Sequence, residues 1–299
     1  MKILIIREGG VGDLIVTFPF IKKIRQLYPL AEIDYATNKG LTRNILLLNS
    51  VVSNIVLINQ VITEQYDIIY DLETVIRSSF AAREGTKHQL DIICDFYDLS
   101  LTKEEKEPVL ELTESLIAWG RRYLRYSINK TNFSLVNKQI LGIVLQSGVV
   151  QKSWISSYMV ELINRLRKRE DILILLFGNS SVSFNSTFPV ISLNNKTTLF
   201  QLCVLINQCS LIISSDTGPL HLAGALKISI IGLFGPNPGY LITKYYSSVY
   251  KILQKSLPCV PCWQRKTSYC NYNCMKLLSV DEVENVILEF LKITRLTPG

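Results

Sequence analysis

The sequence of 299 residues predicts an α/β fold made of two doubly wound domains that face one cleft. Three observations support this prediction. Buried apolar segments alternate with helices in two successive series, and a polar segment separates the series. A third is that polar, glycine-containing turns follow the strands, at the edge where open α/β sheets bind ligands. We place the N-terminal domain at residues 1–135 and the C-terminal domain at residues 136–299, with the last helix free to pack back on the N-terminal domain.

The first series begins with the apolar strand Lys2–Arg7 and the glycine-rich turn Glu8–Asp13. The spacing of the three glycines in this turn differs from the G-x-G-x-x-G fingerprint of dinucleotide sites, and a carboxylate here would repel a pyrophosphate. Asp13 is therefore predicted to be a functional carboxylate at the edge of the sheet, and a helix N-cap is the competing interpretation.

The rest of the N-terminal half continues the alternation. We predict a solvated loop over Arg77–His88, although this polar segment could instead line a cleft, and a linker over Ser127–Lys138. The other predicted elements are a helix over Leu14–Tyr28 that Pro19 kinks, strands over Glu32–Ala36, Ile55–Ile58 and Tyr66–Asp71, a charged surface turn over Lys103–Glu107 and a helix over Leu110–Tyr126.

The second series repeats the pattern. Ser147 lies in the turn after its first strand, Lys152 precedes the next helix, and Thr197 leads a later one. The predicted elements are strands over Ile140–Leu145 and Ile172–Phe177 and helices over Ser157–Arg169, Thr198–Gln208 and Ser279–Ile293.

The stretch Leu211–Pro236 predicts a strand, a tight polar turn, a short helix and a second strand. Polar residues 214–218 are expected to end the first strand, and Pro219 to take the first helical position, where no N–H is needed. Such a turn presents free backbone N–H groups and the positive end of a helix dipole, which suit phosphate. His221 is one turn into the helix and can point back at a bound anion. A purely structural pair, with Asp216 as a cap and His221 packed, is the alternative.

The net charge of +7 is unevenly placed. Residues 1–138 hold 17 Lys and Arg against 17 Asp and Glu, and the remainder holds 15 against 8. The excess positive charge lies in the half with the predicted phosphate turn, which favours an anionic ligand there. Nucleic acid is the competing partner, but the chain has no basic run with interleaved aromatic residues, so we predict none.

Composition predicts a cytoplasmic protein. Apolar residues make up 48% of the chain, but no run of about 18 uncharged apolar residues could span a bilayer. The N-terminus leads directly into a strand, without the pattern of a signal peptide. Seven cysteines, odd in number and unevenly spread, suit a reducing compartment.

Four of these cysteines form a tract near the C-terminus, with the spacing Cys259-x2-Cys262-x7-Cys270-x3-Cys274. Four thiolates can hold zinc, but the middle spacing is short beside that of zinc ribbons. We interpret them as reduced cysteines in a surface loop and predict no metal site; a structural zinc is the alternative.

Taken together, several segments resemble glycosyltransferase family 9, the ADP-heptose:lipopolysaccharide heptosyltransferases. They are the opening KILIIREGGVGDLIVTFPFIKKIRQLYP, the triplet Lys152-Ser153-Trp154, the segment SSDTGPLHLAGAL with the LFGP strand end, and the CVPCW…C…C tract. The resemblance covers the chain from end to end. The Asp-Thr-Gly-Pro-x-His box and the N-terminal Gly-Asp pair together are fairly specific for the family.

The resemblance implies a GT-B fold of two Rossmann-like domains and an inverting, metal-independent glycosyltransferase that uses no cofactor. The sugar, most commonly heptose, would pass from ADP-heptose on the C-terminal domain to a lipopolysaccharide core or related glycan on the N-terminal domain. A glycolipid acceptor would bring the protein to the inner face of the cytoplasmic membrane. The catalytic base is carried onto Asp13, and the donor contacts onto Asp216, Thr217, Gly218, Pro219 and His221 of the box, Ser147 and Lys152 of the donor-side loop, and Thr197 near the nucleotide base.

The chain departs from the family at one strand, where Leu173-Ile174-Leu175 stands in place of a lysine that one subgroup carries. Lys152 is then the predicted cation that offsets the diphosphate charge. Two further hypotheses remain open at this stage: a nucleotide-sugar epimerase of the same architecture, and a nucleotide-sugar binding protein without catalysis.

Overall fold

The computed structural model describes residues 1–38, 51–128, 138–179, 189–263 and 270–296, and these form two parallel β-sheets with helices on their faces. The α/β prediction is confirmed. Most of the predicted linker, residues 129–137, lies outside the described residues.

The N-terminal sheet has four strands in the order β3-β2-β1-β4, all of them parallel. Its central strand β1 is buried on both sides, as expected for a parallel sheet covered by helices. The elements of this half are β1 (Lys2–Ile6), α1 (Val11–Val16), α2 (Phe18–Leu27), β2 (Glu32–Thr37), β3 (Asn54–Leu57), β4 (Ile68–Asp71), α3 (Leu72–Ser78), α4 (Phe80–Glu84), α5 (Gln89–Phe96) and α6 (Glu114–Ile128).

The C-terminal sheet has six parallel strands in the order β10-β9-β8-β5-β6-β7. The strand order reverses direction beside β5 and β8, and open α/β sheets bind ligands at such a point. The elements are β5 (Gln139–Val144), α7 (Ser156–Leu166), β6 (Ile172–Phe177), β7 (Val190–Ser192), α8 (Leu199–Ile206), β8 (Leu211–Ser215), α9 (Gly218–Ala225), β9 (Ser229–Phe234), α10 (Gly239–Ile242), β10 (Val249–Gln254), α11 (Asn273–Lys276) and α12 (Val280–Leu296).

Several predicted boundaries were wrong. The helix expected over Leu14–Tyr28 is two helices, α1 and α2, which meet at Thr17, and Pro19 is the second residue of α2. Asp13 lies inside the first turn of α1 instead of in the loop before it. Helix α6 starts at Glu114, later than expected, because the chain before it is tied to the other half through the Leu110 N–H, which donates to the Ala225 carbonyl (2.8 Å).

The turn after β8 also differs in detail from the prediction. Ser214 and Ser215 still belong to the strand, and Pro219 takes the second position of α9 instead of the first. The cap of α8 is Thr198, whose hydroxyl accepts from the Gln201 N–H (3.2 Å), and not Thr197. The types of these elements were predicted correctly, and the boundaries named here differ from the prediction by one or two residues.

The last helix, α12, packs against α7 and β10 of the C-terminal half, and Arg165 of α7 donates to Glu284 of α12 (2.8 Å). The sequence analysis left open that this helix packs back on the N-terminal domain. Its main contacts are instead with the C-terminal half. Its apolar face closes one side of the C-terminal sheet, while the core on the other side continues into the N-terminal half. Across the described ranges, no helix is both long and apolar enough to cross a bilayer.

The two halves contact each other closely through α1 and α9. Both helices use a glycine at the crossing: a Cβ on Gly12 would lie 2.5 Å from the His221 ring, and a Cβ on Gly218 would lie 3.0 Å from Val11. A second contact centres on buried Asp91 of α5, which accepts from Lys244 (2.8 Å) and Tyr245 (2.6 Å) of the C-terminal half.

His88 lies beside this contact and caps α5, because its Nδ1 accepts from the Leu90 N–H (3.2 Å). Burial lowers the pKa of His88 to about 4 against the opposing effect of Asp91, so the folded protein holds it neutral. The unfolded chain takes up this proton near pH 6.5, and it therefore binds more protons than the folded chain between about pH 4 and 6.5. Stability is full above pH 6.5 and falls as the pH drops toward 4.

We expect the free energy of unfolding to fall by about 2 kcal/mol between pH 7 and pH 5 from this group alone. His88→Asn should remove most of that dependence, because asparagine can cap the helix but does not titrate. Urea unfolding at both pH values measures the difference. Equal pH dependence in the two proteins would contradict the assignment.

Candidate functional site

A cleft of about 390 Å³ opens between the two halves and is lined by residues of both. The first turn of α1 contributes Asp13 from the N-terminal side. The turn after β8 contributes Asp216, Thr217 and Gly218 from the other, with Lys152 beside them. Carboxyl ends of strands from both sheets thus meet at one place, as the sequence predicted.

Asp13 is held at this cleft by a hydrogen bond to each carboxylate oxygen. Its Oδ2 accepts from the Gly10 N–H (2.8 Å), and its Oδ1 accepts from the Arg7 guanidinium (3.1 Å). The side chain remains 35% exposed, so an incoming hydroxyl group can reach it. A fixed and accessible carboxylate of this kind can act as a general base.

Asp216 occupies the opposite wall and is 7% exposed. Its carboxylate accepts from Lys152 Nζ (2.8 Å) and Asn237 Nδ2 (2.6 Å), and His221 Nε2 lies 3.6 Å away. Burial by itself would raise the pKa of Asp216, but the hydrogen bonds and charges of His221 and Lys152 hold it well below its usual range. Asp216 is therefore ionised and holds the Lys152 ammonium at the cleft, with N–H groups left to donate to a ligand.

His221 is buried between two partners. Its Nδ1 lies 2.8 Å from the Tyr246 hydroxyl, and burial raises the pKa of Tyr246 far above its usual value. The phenol is thus protonated and pairs with Nδ1, while the other ring nitrogen, Nε2, faces Asp216 and the cleft. The imidazole is fixed on both sides and can serve as a hydrogen-bond donor without moving.

Six of the nine site residues predicted from the sequence line this one cleft: Asp13, Lys152, Asp216, Thr217, Gly218 and His221. The other three lie outside it. Pro219 is in the helix behind Gly218, and Thr197 precedes the cap of α8. Ser147 shapes the loop that leads to Lys152, since its hydroxyl accepts from the Val149 N–H (3.2 Å) and its own N–H donates to Ser153 (3.0 Å).

The interpretation of Arg77–His88 as a solvated loop was wrong. The segment forms the end of α3 and all of α4, and Lys87 and His88 line the cleft together with Gln89. The polar composition fitted both possibilities, and only the packing of α5 on the opposite half brings these residues to the cleft.

Among the other lining residues that were missed are Asn237 and Trp263. Asn237 follows β9 at the same edge as the turn after β8, so the rule about carboxyl ends of strands could have found it. Trp263 comes from the cysteine tract, which folds back on the end of β9 because the N–H groups of Cys262 and Trp263 both donate to the Pro236 carbonyl (2.9 and 3.1 Å). No sequence signal indicated that return of the chain.

The four cysteines of the tract line a second cavity of about 200 Å³ behind Pro236. Burial, and the other three thiols next, raise the pKa of Cys274. All four are free thiols, and within the described residues no three His, Cys, Asp or Glu side chains group closely enough to hold a metal ion.

Comparison with known proteins agrees with this geometry. Residues 89–273 match the family model of glycosyltransferase family 9 (heptosyltransferase). The chain is similar to lipooligosaccharide heptosyltransferase 2 of Campylobacter jejuni subsp. jejuni serotype O:2, with 29% identity over 171 residues, which are 53% of this chain and 53% of that protein. The chain thus spans about half the length of the curated relatives it matches first.

Two solved proteins share the fold along the whole chain. A family 9 glycosyltransferase of Veillonella parvula superposes with a TM-score of 0.76 at 18% identity, over 97% of both chains. The iron-containing dodecameric glycosyltransferase TibC of enterotoxigenic Escherichia coli superposes with a TM-score of 0.72 at 14% identity, over 100% of this chain and 80% of that one. TibC has also been solved as a heptosyltransferase in complex with ADP-D-β-D-heptose. At these identities the likeness shows a shared GT-B fold.

Proposed function

The chain belongs to glycosyltransferase family 9, and from this membership we propose that it transfers heptose from ADP-heptose to a lipopolysaccharide core or a related glycan, with inversion at the anomeric carbon. One observation supports this most strongly. A fixed carboxylate on the N-terminal half and a set of cationic and N–H donors on the C-terminal half face each other across one cleft. Glycosyl transfer to a hydroxyl group needs both, one on each side of the anomeric carbon.

The donor diphosphate would bind at the start of α9. The first N–H groups of a helix have no partner within the helix and carry its positive dipole end, and Pro219 adds no competing N–H. Lys152 and Nε2 of His221 lie beside this turn. These groups would stabilise the charge that grows on the leaving diphosphate as the glycosidic bond breaks.

Asp13 would take the proton of the acceptor hydroxyl as its oxygen attacks the anomeric carbon. The acceptor would then lie on the N-terminal side, near Lys87, His88 and Gln89. We propose residues 1–135 as the acceptor domain and 136–299 as the donor domain, and the close contact of α1 with α9 as the arrangement that excludes water from the donor. A glycolipid acceptor would place this cytoplasmic protein at the inner face of the membrane.

We also propose that the transfer needs no metal ion, since Lys152, His221 and the turn amides can carry the diphosphate charge. Elemental analysis of protein purified without chelator is expected to find well below one zinc or iron per chain. Iron is included because TibC contains it. About one metal per chain, lost in Cys259→Ser, would show instead that the cysteine tract is a metal site.

The experiment that tests the function incubates the protein with ADP-heptose and with lipopolysaccharide from a heptose-deficient bacterium. We expect release of ADP together with a heptosylated acceptor, and neither product when the acceptor is left out. An isomerised sugar from the donor alone would identify an epimerase. Binding of ADP-heptose without turnover on any core acceptor would identify a binding protein.

A further inference from the structure

Arg7 is a buried cation just after β1 whose guanidinium joins three elements of the N-terminal half. The side chain is 5% exposed. One terminal nitrogen donates to Glu73 of α3, and the other donates to Asp13 Oδ1 (3.1 Å) and to Gln89 Oε1 of α5 (2.9 Å). A planar guanidinium can bridge acceptors in this way, whereas an ammonium group acts as a point charge.

Glu73 supplies the counter-charge. Its carboxylate also accepts from the Glu8 N–H (3.1 Å) and from Arg77 Nε (2.6 Å). Burial would raise the pKa of Glu73, but the Arg7 charge and these hydrogen bonds hold it below its usual range. Glu73 neutralises the charge of Arg7, so Arg7 does not depend on Asp13 as a counter-ion. The contact of Arg7 with Asp13 can therefore serve to orient the Asp13 carboxylate.

The result is a carboxylate fixed on both oxygens. Asp13 Oδ1 accepts from Arg7 and lies 3.5 Å from Gln89 Nε2. Asp13 Oδ2 accepts from the Gly10 N–H. A carboxylate has about four acceptor positions, so lone pairs remain for a substrate hydroxyl. Orientation of this kind places a base at the attack geometry before the substrate arrives.

The arrangement is a costly way to stabilise a fold. Arg7 Nε is buried and has no hydrogen-bond partner among the described residues. A buried ion pair can often be replaced by apolar side chains without loss of stability, and an unmade hydrogen bond adds to its cost. We therefore interpret the contact with Asp13 as the functional reason why an arginine is buried at this position.

We propose that Arg7 is a positioning residue for Asp13, supported by Glu73 and Gln89, and that it sets the rate of the chemical step and not the affinity for the donor. This inference rests on the proposed function, because it takes Asp13 to be the base.

The test compares Arg7→Met, Asp13→Asn and the double variant in the ADP-heptose transfer assay. Arg7→Met is expected to lower kcat by roughly 10- to 100-fold, with KM for ADP-heptose within about twofold of the original value. In the Asp13→Asn background, Arg7→Met should cost no further kcat, because the base through which it acts is already gone. The matched control is Arg77→Met, which removes another arginine from Glu73 but has no contact with Asp13; its kcat should change by less than about twofold.

Two further variants test the proposal in case Arg7→Met does not fold. Arg7→Lys keeps the charge but not the bridge and should lose about 3- to 10-fold in kcat. Gln89→Ala, at the half-buried first residue of α5, should lose a few-fold in kcat with its thermal transition unchanged. Additive losses in the double variant, or losses confined to KM, would overturn the proposal. If Asp13→Asn itself keeps full turnover, the base assignment in the proposed function fails, which is a separate result.

Discussion

Asp13→Asn is expected to reduce turnover by roughly 10²–10⁴ while leaving ADP-heptose binding near its original affinity, because general-base assistance is typically worth that much. Asparagine keeps the shape of the side chain, and its oxygen can still accept from the Gly10 N–H, so the first turn of α1 should stay intact. What the substitution removes is a carboxylate that can accept a proton. Steady-state kinetics and calorimetric titration with ADP-heptose separate the two effects.

The matched control is Asp71→Asn. Asp71 stands at the carboxyl end of the neighbouring strand β4 and caps α3 through the Thr74 N–H (2.9 Å), a bond that asparagine preserves. Asp71 is not among the residues that line the cleft. Turnover of this variant should stay near that of the original protein. Near-normal turnover of Asp13→Asn would show that Asp13 only accepts the structural hydrogen bond from Gly10. It would contradict the mechanism proposed here.

Gly12→Ala is expected to lower kcat by about 10²-fold through a steric clash with the His221 ring. A Cβ at this position would lie 2.5 Å from Cδ2 and 2.7 Å from Nε2 of His221, closer than atoms can approach. His221 cannot move aside easily, because Tyr246 and Asp216 hold its two nitrogens. Helices α1 and α9 must therefore separate, which moves Asp13 away from the turn at the start of α9.

This prediction runs against helix propensity, since alanine in place of glycine inside a helix usually stabilises it by about 1 kcal/mol. Lower activity without a lower melting temperature would thus indicate displacement of the halves. Gly148→Ala is the control, because a Cβ there would meet nothing within 4 Å. In a His221→Ala background the clash is gone, so Gly12→Ala should cost no further kcat. A full additional loss in that background would contradict the explanation.

The predicted pattern of elements succeeded because buried parallel strands leave a strong local signal. Strands such as Ile172–Phe177 are continuous apolar runs, and their burial needs no knowledge of the partner. The ends of elements were less accurate. The kink predicted at Pro19 is in fact a break at Thr17, which ends α1 and precedes α2, and Pro19 lies in the first turn of α2, where no N–H is needed.

Much of the candidate site was predictable because its residues follow strands. Asp13 and the turn from Asp216 to Gly218 lie at carboxyl ends of strands, and the topology of parallel sheets brings such ends to one edge. Arg7, Glu73 and Gln89 could not be linked from the sequence, because residues 66 and 82 positions from Arg7 meet it only after the helices pack.

The sequence by itself determined the fold class, the two strand series, the carboxylate after the first strand and the polar turn between β8 and α9. These properties are local: apolar runs, turns and a helix start are set by neighbouring residues. The tertiary structure alone decided that Lys152 is paired with Asp216, that His221 is fixed by Tyr246 and meets Gly12, and that Arg7 holds Asp13. The physical reason is that hydrogen bonds and close contacts act over about 3 Å, and only packing brings side chains from distant positions within that range.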